Sequence, residues 1–482
     1  MIRVATIGSE PYWYDEAFTA YLSRLPFWSM LGAMAGDTHP PIMYTLSWVI
    51  AQATGSSSPV ILRLPSALFS AIGSAELFRL VKRFSGNKAG MLASGLFSVL
   101  PAQIYYGQEA RMYSLMSLLV LGMMNSVLSS NWLRTALCGC LLMFTHNLSI
   151  LYVVPIGVWS ILRSNGKIFR HAALGLSYAP WIPTLLYQTR QIQDNGFWIV
   201  NNTPGGMLYF LEYCTFYNRL PGWALFHGAV AASAVTIMAL WALRQDLLSR
   251  RLWALPAMAL LPTTELYAIS QLWQPMMLDR ILLPAGTVLL GVWAAGWIRM
   301  SPLNKKVSAA LVVPMLAISL WGYATTSQRT DYKQFTDIIA ENWEPGDTVY
   351  HNSISSVILF ANKLPHDGYI LPGIGDIAQN LSESTKKAMG ISQREKSISE
   401  LQAMGYRRVW VLRLLTPVSS QTEQEGIDGI LKQYHTIKRY PVGSDLYVQF
   451  DIILINIDRR LLDDIPKNML PLPAGDKIRK IP

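Results

Sequence analysis

Apolar residues in this chain are gathered into long blocks rather than spread in one-sided stripes. Between residues 59 and about 325 each block runs for about 15–23 residues, the length a helix needs to cross a ~30 Å hydrocarbon core. The block lengths predict ten spans, at roughly 59–81, 88–105, 112–130, 133–147, 148–162, 171–188, 223–243, 252–271, 281–299 and 307–324. Ahead of them, PIMYTLSWVIAQAT (41–54) is apolar but short for a span. Residues 16–31 place Phe18, Tyr21, Leu22 and Leu25 at helical spacing. Both segments read as helices lying in the outer membrane interface.

Past about residue 325 the pattern changes to soluble α/β alternation. DYKQFTDIIAENW reads as a helix, and the turn EPGD leads into the strand TVYHN. SISELQAMGY is a helix ending at Gly405, and RRVWVLRLL is the next strand. A helix near 422–433 precedes strands around 435–441 and 445–454. Helices alternating with strands predict a small layered α/β domain. The expected fold is thus a polytopic all-α membrane domain of about ten spans followed by a small extracytoplasmic α/β domain. The boundaries fall at 1–58 (outer loop with interfacial helices), 59–325 (membrane helices) and 326–482 (soluble domain).

Composition agrees. Charged residues are 15% of the chain, against roughly 25% in an average soluble domain. Sixteen Trp and 22 Tyr suit two aromatic-rich membrane interfaces. A net charge of +10 raises the question of nucleic acid, but the basic residues sit in short loops on alternate sides. Lys82, Arg83, Lys88, Arg134, Arg163, Lys167, Arg170, Arg244, Arg250, Arg251, Arg299, Lys305 and Lys306 share one side. The other connections hold only Arg111, Arg190, Arg219 and Arg280. That asymmetry makes the first side cytoplasmic and speaks against a nucleic-acid partner. Residues 1–58, the loops near 106–111, 189–222 and 272–280, and the C-terminal domain then face outward, as in a plasma-membrane protein. Cys138, Cys140 and Cys214 suggest neither a disulfide framework nor a zinc site. The first thirty residues hold no continuous apolar run of the signal-peptide kind.

Four outward stretches carry candidate chemistry. Asp15 and Glu16 lie side by side within WYDEAF, where N-capping by Asp15 is the plain alternative to chemistry. His39, in DTHPPIMY with Tyr44, meets the membrane surface, where it contacts a lipid phosphate or is simply solvated. Glu109 and Arg111 stand two apart in YYGQEARMY, beside Tyr106 and Tyr113, too close in sequence for a good helical ion pair. Ionisable groups at a bilayer boundary are functional candidates. Arg280, in LDRILLP, opens a span with the side chain best shaped for bidentate phosphate binding, or snorkels beside Asp279. Together these stretches hold what sugar transfer from a membrane-bound phosphate needs. A carboxylate deprotonates the acceptor, cations steady the departing phosphate, and aromatic faces such as Tyr14, Tyr44, Tyr106 and Tyr113 hold sugar and prenyl chain.

The ordered set WYDEAFT, THPPIMY, LRLPSALF, YYGQEARMYSL, FTHNLSILYVVP, APWIPTLL and DRILLP resembles bacterial membrane glycosyltransferases of the GT-C superfamily. The likeness is to dolichyl-phosphate-mannose–protein mannosyltransferases and the lipid A aminoarabinose transferase, over residues 12 to about 300. It implies inverting transfer of a hexosyl or pentosyl group from a polyprenyl-phosphate sugar, without metal or other cofactor, to an outer acceptor that the motifs do not name. By this resemblance Asp15 is the catalytic carboxylate and Glu16 its acidic neighbour. Glu109 and Arg111 match the second-loop motif, and His39 and Arg280 stand near the donor phosphate. The resemblance also implies a transmembrane helix ahead of the acidic pair, which the segment MIRVATIGSEP is too short to supply. The rival reading is a transporter or flippase of lipid-linked sugars. That class places ionisable residues near mid-span, whereas here they cluster at the outer ends, although Glu76 and Glu265 lie within apolar blocks.

Overall fold

A computed structural model describes residues 2–163, 176–195, 199, 206–217, 222–248, 252–326, 329, 333–361, 363–365, 367–372, 383–415, 421–444 and 449–460. Lys167, Arg170, Arg219, Arg250 and Arg251 of the charge pattern lie outside these residues. The chain divides into two compact units. One is Met1–Asp331 with Gln379–Gly390, the other Tyr332–Ala378 with Ile391–Pro482.

The first unit is helical. It opens with α1 (Ile2–Ala5), α2 (Tyr14–Leu22), α3 (Phe27–Ala35) and α4 (Ile42–Thr54). The single helix expected over 16–31 is two, because Pro26 in extended backbone disfavours helix at the residue before it. Next comes α5 (Pro59–Val99), a hairpin of two helical arms reversed at Gly86, whose φ of 82° glycine adopts without strain. Ser74 and Ser94 hydrogen-bond across the arms at 2.7 Å. There follow α6 (Pro101–Gly107), α7 (Tyr113–Leu128), α8 (Trp132–Met143), α9 (Ile150–Arg163) and α10 (Ile182–Asn195). The second arm of α5 stops before Pro101, and α10 has Pro180 just ahead of it and Pro183 in its first turn. Proline breaks a helix internally but fits its first turn. The unit continues with α11 (Gly206–Thr215), α12 (Gly222–Leu248), α13 (Ala254–Leu272), α14 (Leu283–Arg299) and α15 (Pro302–Thr325).

Among the described residues, four helical segments are long and apolar enough to cross a bilayer: Pro59–Val99, Gly222–Leu248, Asp279–Arg299 and Pro302–Thr325. Tyr113–Leu128, Trp132–Met143 and Asn147–Arg163 are apolar but shorter. The two most apolar long helices play opposite parts. α14 is the central post, with 89% of its apolar window buried, whereas only 11% of the window in α15 is buried. A helix apolar all round and buried is core, and one apolar but uncovered suits lipid. Small residues let α14 pack closely: a Cβ on Gly296 would meet Ala239 of α12 at 2.6 Å. The helix Glu383–Ala388 also belongs to this unit, with Thr385 Oγ1 donating to the Ala33 carbonyl of α3 at 3.1 Å.

The second unit holds a five-stranded sheet of β1 (Asp347–His351), β2 (Tyr369–Ile370), β3 (Arg408–Leu415), β4 (Tyr434–Ser444) and β5 (Gln449–Arg460), in the order β2-β1-β3-β5-β4. β1 pairs in parallel with β2 and β3, and β5 runs antiparallel to β3 and β4. Val409 and Val411 face a core with Tyr350, Leu401, Ile453 and Ile455, while Trp410 between them donates to Asp347 at 2.8 Å. The predicted α/β alternation is observed. The helix Ile354–Phe360 and the two-residue β2 were not announced, β2 being too short to show a period.

Candidate active site

Asp15 and Glu16 both lie in the first turn of α2, where the helix dipole favours acids. The helix begins at Tyr14, and its N-cap Trp13 makes no side-chain cap bond, so Asp15 is not the cap. Successive residues on a helix point about 100° apart. The two acids therefore face different surroundings.

Glu16 points into the protein and is fully buried. Arg63 of α5 grips it with two bonds, Nε to Oε1 at 2.8 Å and Nη2 to Oε2 at 2.7 Å. The backbone N–H of Ala110 donates to Oε1 at 2.8 Å, and Arg329 Nε stands 3.0 Å from Oε2. Arg63 also donates to the carbonyls of Ile7, Glu10 and Pro11 at 2.8–2.9 Å. A buried pair satisfied on both sides holds only as a unit, and removing one partner costs ~3–5 kcal/mol. Glu16 thus welds the first acidic loop to the turn between α6 and α7.

Asp15 points to the other side and stays partly exposed. Its Oδ2 lies 3.3 Å from Arg280 Nη1 and 3.9 Å from Arg111 Nη2. The Arg280 guanidinium also lies over the rings of Trp13 and Tyr113, at 5.4 and 6.0 Å from their centroids. Arg111 donates through Nη1 to Tyr44 Oη at 3.0 Å and to Thr19 Oγ1 at 3.2 Å. Tyr44 in turn donates to Asp37 Oδ2 at 3.0 Å, and His39 Nδ1 lies 3.3 Å from the same oxygen. The His39 ring sits edge-on to His146, centroids 5.2 Å apart. Burial, aided by the charge of Arg111, lowers the His39 pKa despite the Asp37 bond, so its imidazole is neutral near pH 7.

Glu109 completes the cluster. It is fully buried, and Trp13 Nε1 donates to its Oε1 at 3.1 Å. Its Oε2 has no hydrogen-bond partner among the described residues. Burial, reinforced by the charge of Glu16, pushes Glu109 up to about 8, so it carries its proton at pH 7. Tyr106 donates its hydroxyl to Asp279 Oδ2 at 2.8 Å, while its ring packs against Tyr113 at 5.4 Å. Tyr14 is half-buried in the first turn of α2.

The pieces thus converge from α2, the turn before α4 and α4 itself, α5, the turn before α7, the loop before α9, the turn opening α14, and Arg329 beyond α15. No protein-family model and no curated protein matches the sequence. Solved structures do match. The crystal structure of ArnT from Cupriavidus metallidurans in the apo state aligns with a TM-score of 0.59 at 12% identity, covering 95% of this chain and 96% of that one. The chain has the ArnT fold. A second ArnT crystal structure, bound to undecaprenyl phosphate, aligns with a TM-score of 0.53 at 12% identity and the same coverage.

With the ArnT fold in view, the resemblance carried by the sequence motifs holds at the level of architecture. The structure brings Asp15, Glu109, Arg111, Arg280, Tyr44, Tyr113 and His39 into one linked cluster, and sets Glu16 behind it. Sequence reasoning missed Arg63, His146 and Arg329 as members of the network. His146 lies in FTHNLSILYVVP and Arg63 in LRLPSALF, both stretches of the motif set, so a polar residue inside an apolar motif was the available signal. Arg329 stands in no motif and gave none.

Proposed function

We propose that the chain is a multi-pass inner-membrane glycosyltransferase that moves a sugar from a polyprenyl-phosphate carrier to an extracytoplasmic glycan, lipid or protein, with inversion. The observation that carries this reading is a partly exposed carboxylate, Asp15, paired at 3.3 Å with Arg280 and flanked by Arg111, in a chain with the ArnT fold. The ArnT structure bound to undecaprenyl phosphate supports the lipid-phosphate donor.

In this mechanism Asp15 accepts the proton of the attacking acceptor hydroxyl. Arg280 and Arg111 stabilise the phosphate as the glycosidic bond breaks, as fixed cations do for developing charge. The donor phosphate draws Arg280 away from Asp15, freeing the base when substrate is present. Neutral His39 donates an N–H to a phosphate oxygen. Protonated Glu109 offers a hydrogen bond to the sugar or the acceptor, and Tyr44, Tyr106, Tyr113 and Tyr14 line the path of sugar and prenyl chain. No metal or cofactor enters the scheme, and Glu16 acts by holding the loops in place.

The test is purified protein in lipid vesicles with a polyprenyl-phosphate sugar and candidate acceptors. Release of polyprenyl phosphate with a glycosylated product is expected, and is lost in Asp15→Asn. Movement of intact donor across the bilayer without bond cleavage would replace the transferase by the flippase. Orientation is read separately, in a chain lacking Cys138, Cys140 and Cys214. An impermeant maleimide applied to intact cells should label Thr54→Cys and Glu400→Cys but not Asn131→Cys, and the reverse pattern would invert the topology.

A further inference from the structure

The segment leaving α15 sends a charge into the core of the acidic loops. Arg329 is 7% exposed, and its three nitrogens reach three different partners. Nε lies 3.0 Å from Glu16 Oε2, Nη1 3.3 Å from Glu10 Oε2, and Nη2 donates to the Gln108 carbonyl at 3.1 Å. Its guanidinium also stands over the Tyr105 ring, 5.1 Å from the centroid. Tyr323 of α15, six positions earlier, donates to Gln108 Oε1 at 2.8 Å. Tyr323 near the end of α15 and Arg329 beyond it thus hold the residue that precedes Glu109.

We infer that Arg329 is a positioning residue of the transfer site: by bridging Glu16, Glu10 and the Gln108 carbonyl it fixes Glu109 against Asp15 and Trp13. The inference rests on the transferase reading of that site. Glu16 is already held by Arg63 and the Ala110 N–H, so Arg329 is not needed merely to neutralise it. What Arg329 adds is the link to the backbone beside Glu109 and a cation near that carboxyl. Lysine, a point charge without the planar fork, does not span three partners.

The groups that face Glu109 are Glu16 and Asp15 of α2, Arg280, Arg329, and the tyrosines Tyr105, Tyr106 and Tyr113. Among these, Arg329 and Arg280 are the cations that favour the ionised form. Arg329→Gln removes one and leaves both acids.

The experiment compares wild type, Arg329→Gln and Arg329→Lys in detergent, following the infrared carbonyl band of protonated Glu109, identified by its loss in Glu109→Gln. In Arg329→Gln the midpoint of that band should rise by about one pH unit. In Arg329→Lys it should stay near the wild-type value. Transfer by both variants should fall at least ~10-fold in kcat, as expected of a displaced reacting group, with the donor KM nearly unchanged. An unmoved midpoint in folded Arg329→Gln overturns the inference, as does full kcat in Arg329→Lys, which alone decides the matter if the glutamine variant does not fold. The infrared arm needs no substrate. A shifted midpoint in a protein without transferase activity would therefore sink the functional reading while keeping the bridge.

Discussion

Two buried carboxylate–arginine clusters in the helical unit invite comparison. At one, Glu76 of α5 accepts from Arg79 at 2.7 Å and Arg134 at 2.9 Å through Oε1, and from Asn125 at 2.8 Å through Oε2. Both oxygens are satisfied, the arginines are largely exposed, and the cluster ties α5 to α7 and α8. At the other, Asp15 meets two arginines at 3.3 and 3.9 Å, and Glu109 keeps one oxygen unbonded among the described residues. A buried polar atom left unsatisfied costs ~1–3 kcal/mol, so each one calls for a physical reason. Similar residue types thus serve architecture in one place and, on the proposed function, face substrate in the other. What separates them is how completely the carboxylate oxygens are met, both in Glu76 but only one in Glu109 among the described residues. The same contrast weakens the transporter reading, since one of its two mid-span acids is a closed structural bridge.

The sharpest way to break this contrast is to neutralise each acid without changing its shape. Asp15→Asn should fold and insert normally yet lose transfer by ~10²–10⁴-fold, the usual contribution of a positioned base. Full turnover by this variant in the purified assay would end the general-base assignment. Arg280→Ala should raise the donor KM by ~10–100-fold, the worth of a charged hydrogen bond of ~1.5–3 kcal/mol. Equal losses in kcat and kcat/KM would instead make Arg280 a transition-state contact.

A pH series refines the poised cluster further. Glu109 is raised to about 8 in the folded protein, so between its ordinary range and that value the native state holds a proton the unfolded chain has lost. Its contribution to stability is complete below pH ~4.5 and declines as pH rises through about 8. Transfer should fall on the same alkaline limb if the protonated carboxyl is the working form. In Glu109→Gln that limb should move or vanish, and an unchanged profile would take Glu109 out of the reaction. The smallest effect on transfer belongs to the closed cluster. Glu76→Gln should lower the thermal unfolding midpoint, since the amide cannot accept from two arginines and Asn125 alike, while kcat changes less than about twofold. A large loss of kcat with unchanged stability would show that Glu76 communicates with the outer site.

Much of the site was legible because its residues sit in short polar interruptions of apolar runs. Arg111 and Glu109 stand out in YYGQEARMY, and Arg280 in LDRILLP, where charge at a membrane boundary needs a reason. The helical hairpin of α5 was legible too, as two apolar blocks split around Ser85-Gly86-Asn87. Arg329 was not. It lies 313 positions from Glu16, and only the docking of α15 carries it there.

The sequence by itself determined the helical blocks, the α/β unit after them and the motif residues, because apolar length, strand alternation and isolated charge are properties of short windows. By no local rule did it determine which of Asp15 and Glu16 turns inward. Two adjacent acids in one helical turn are equivalent to any local rule, and a single turn carries too few apolar neighbours to announce its inward face. Packing α2 against α5 decided it, turning Glu16 into the grip of Arg63 and leaving Asp15 to face Arg280. That choice rests on partners 47 and 265 residues away, and so belongs to the tertiary structure alone.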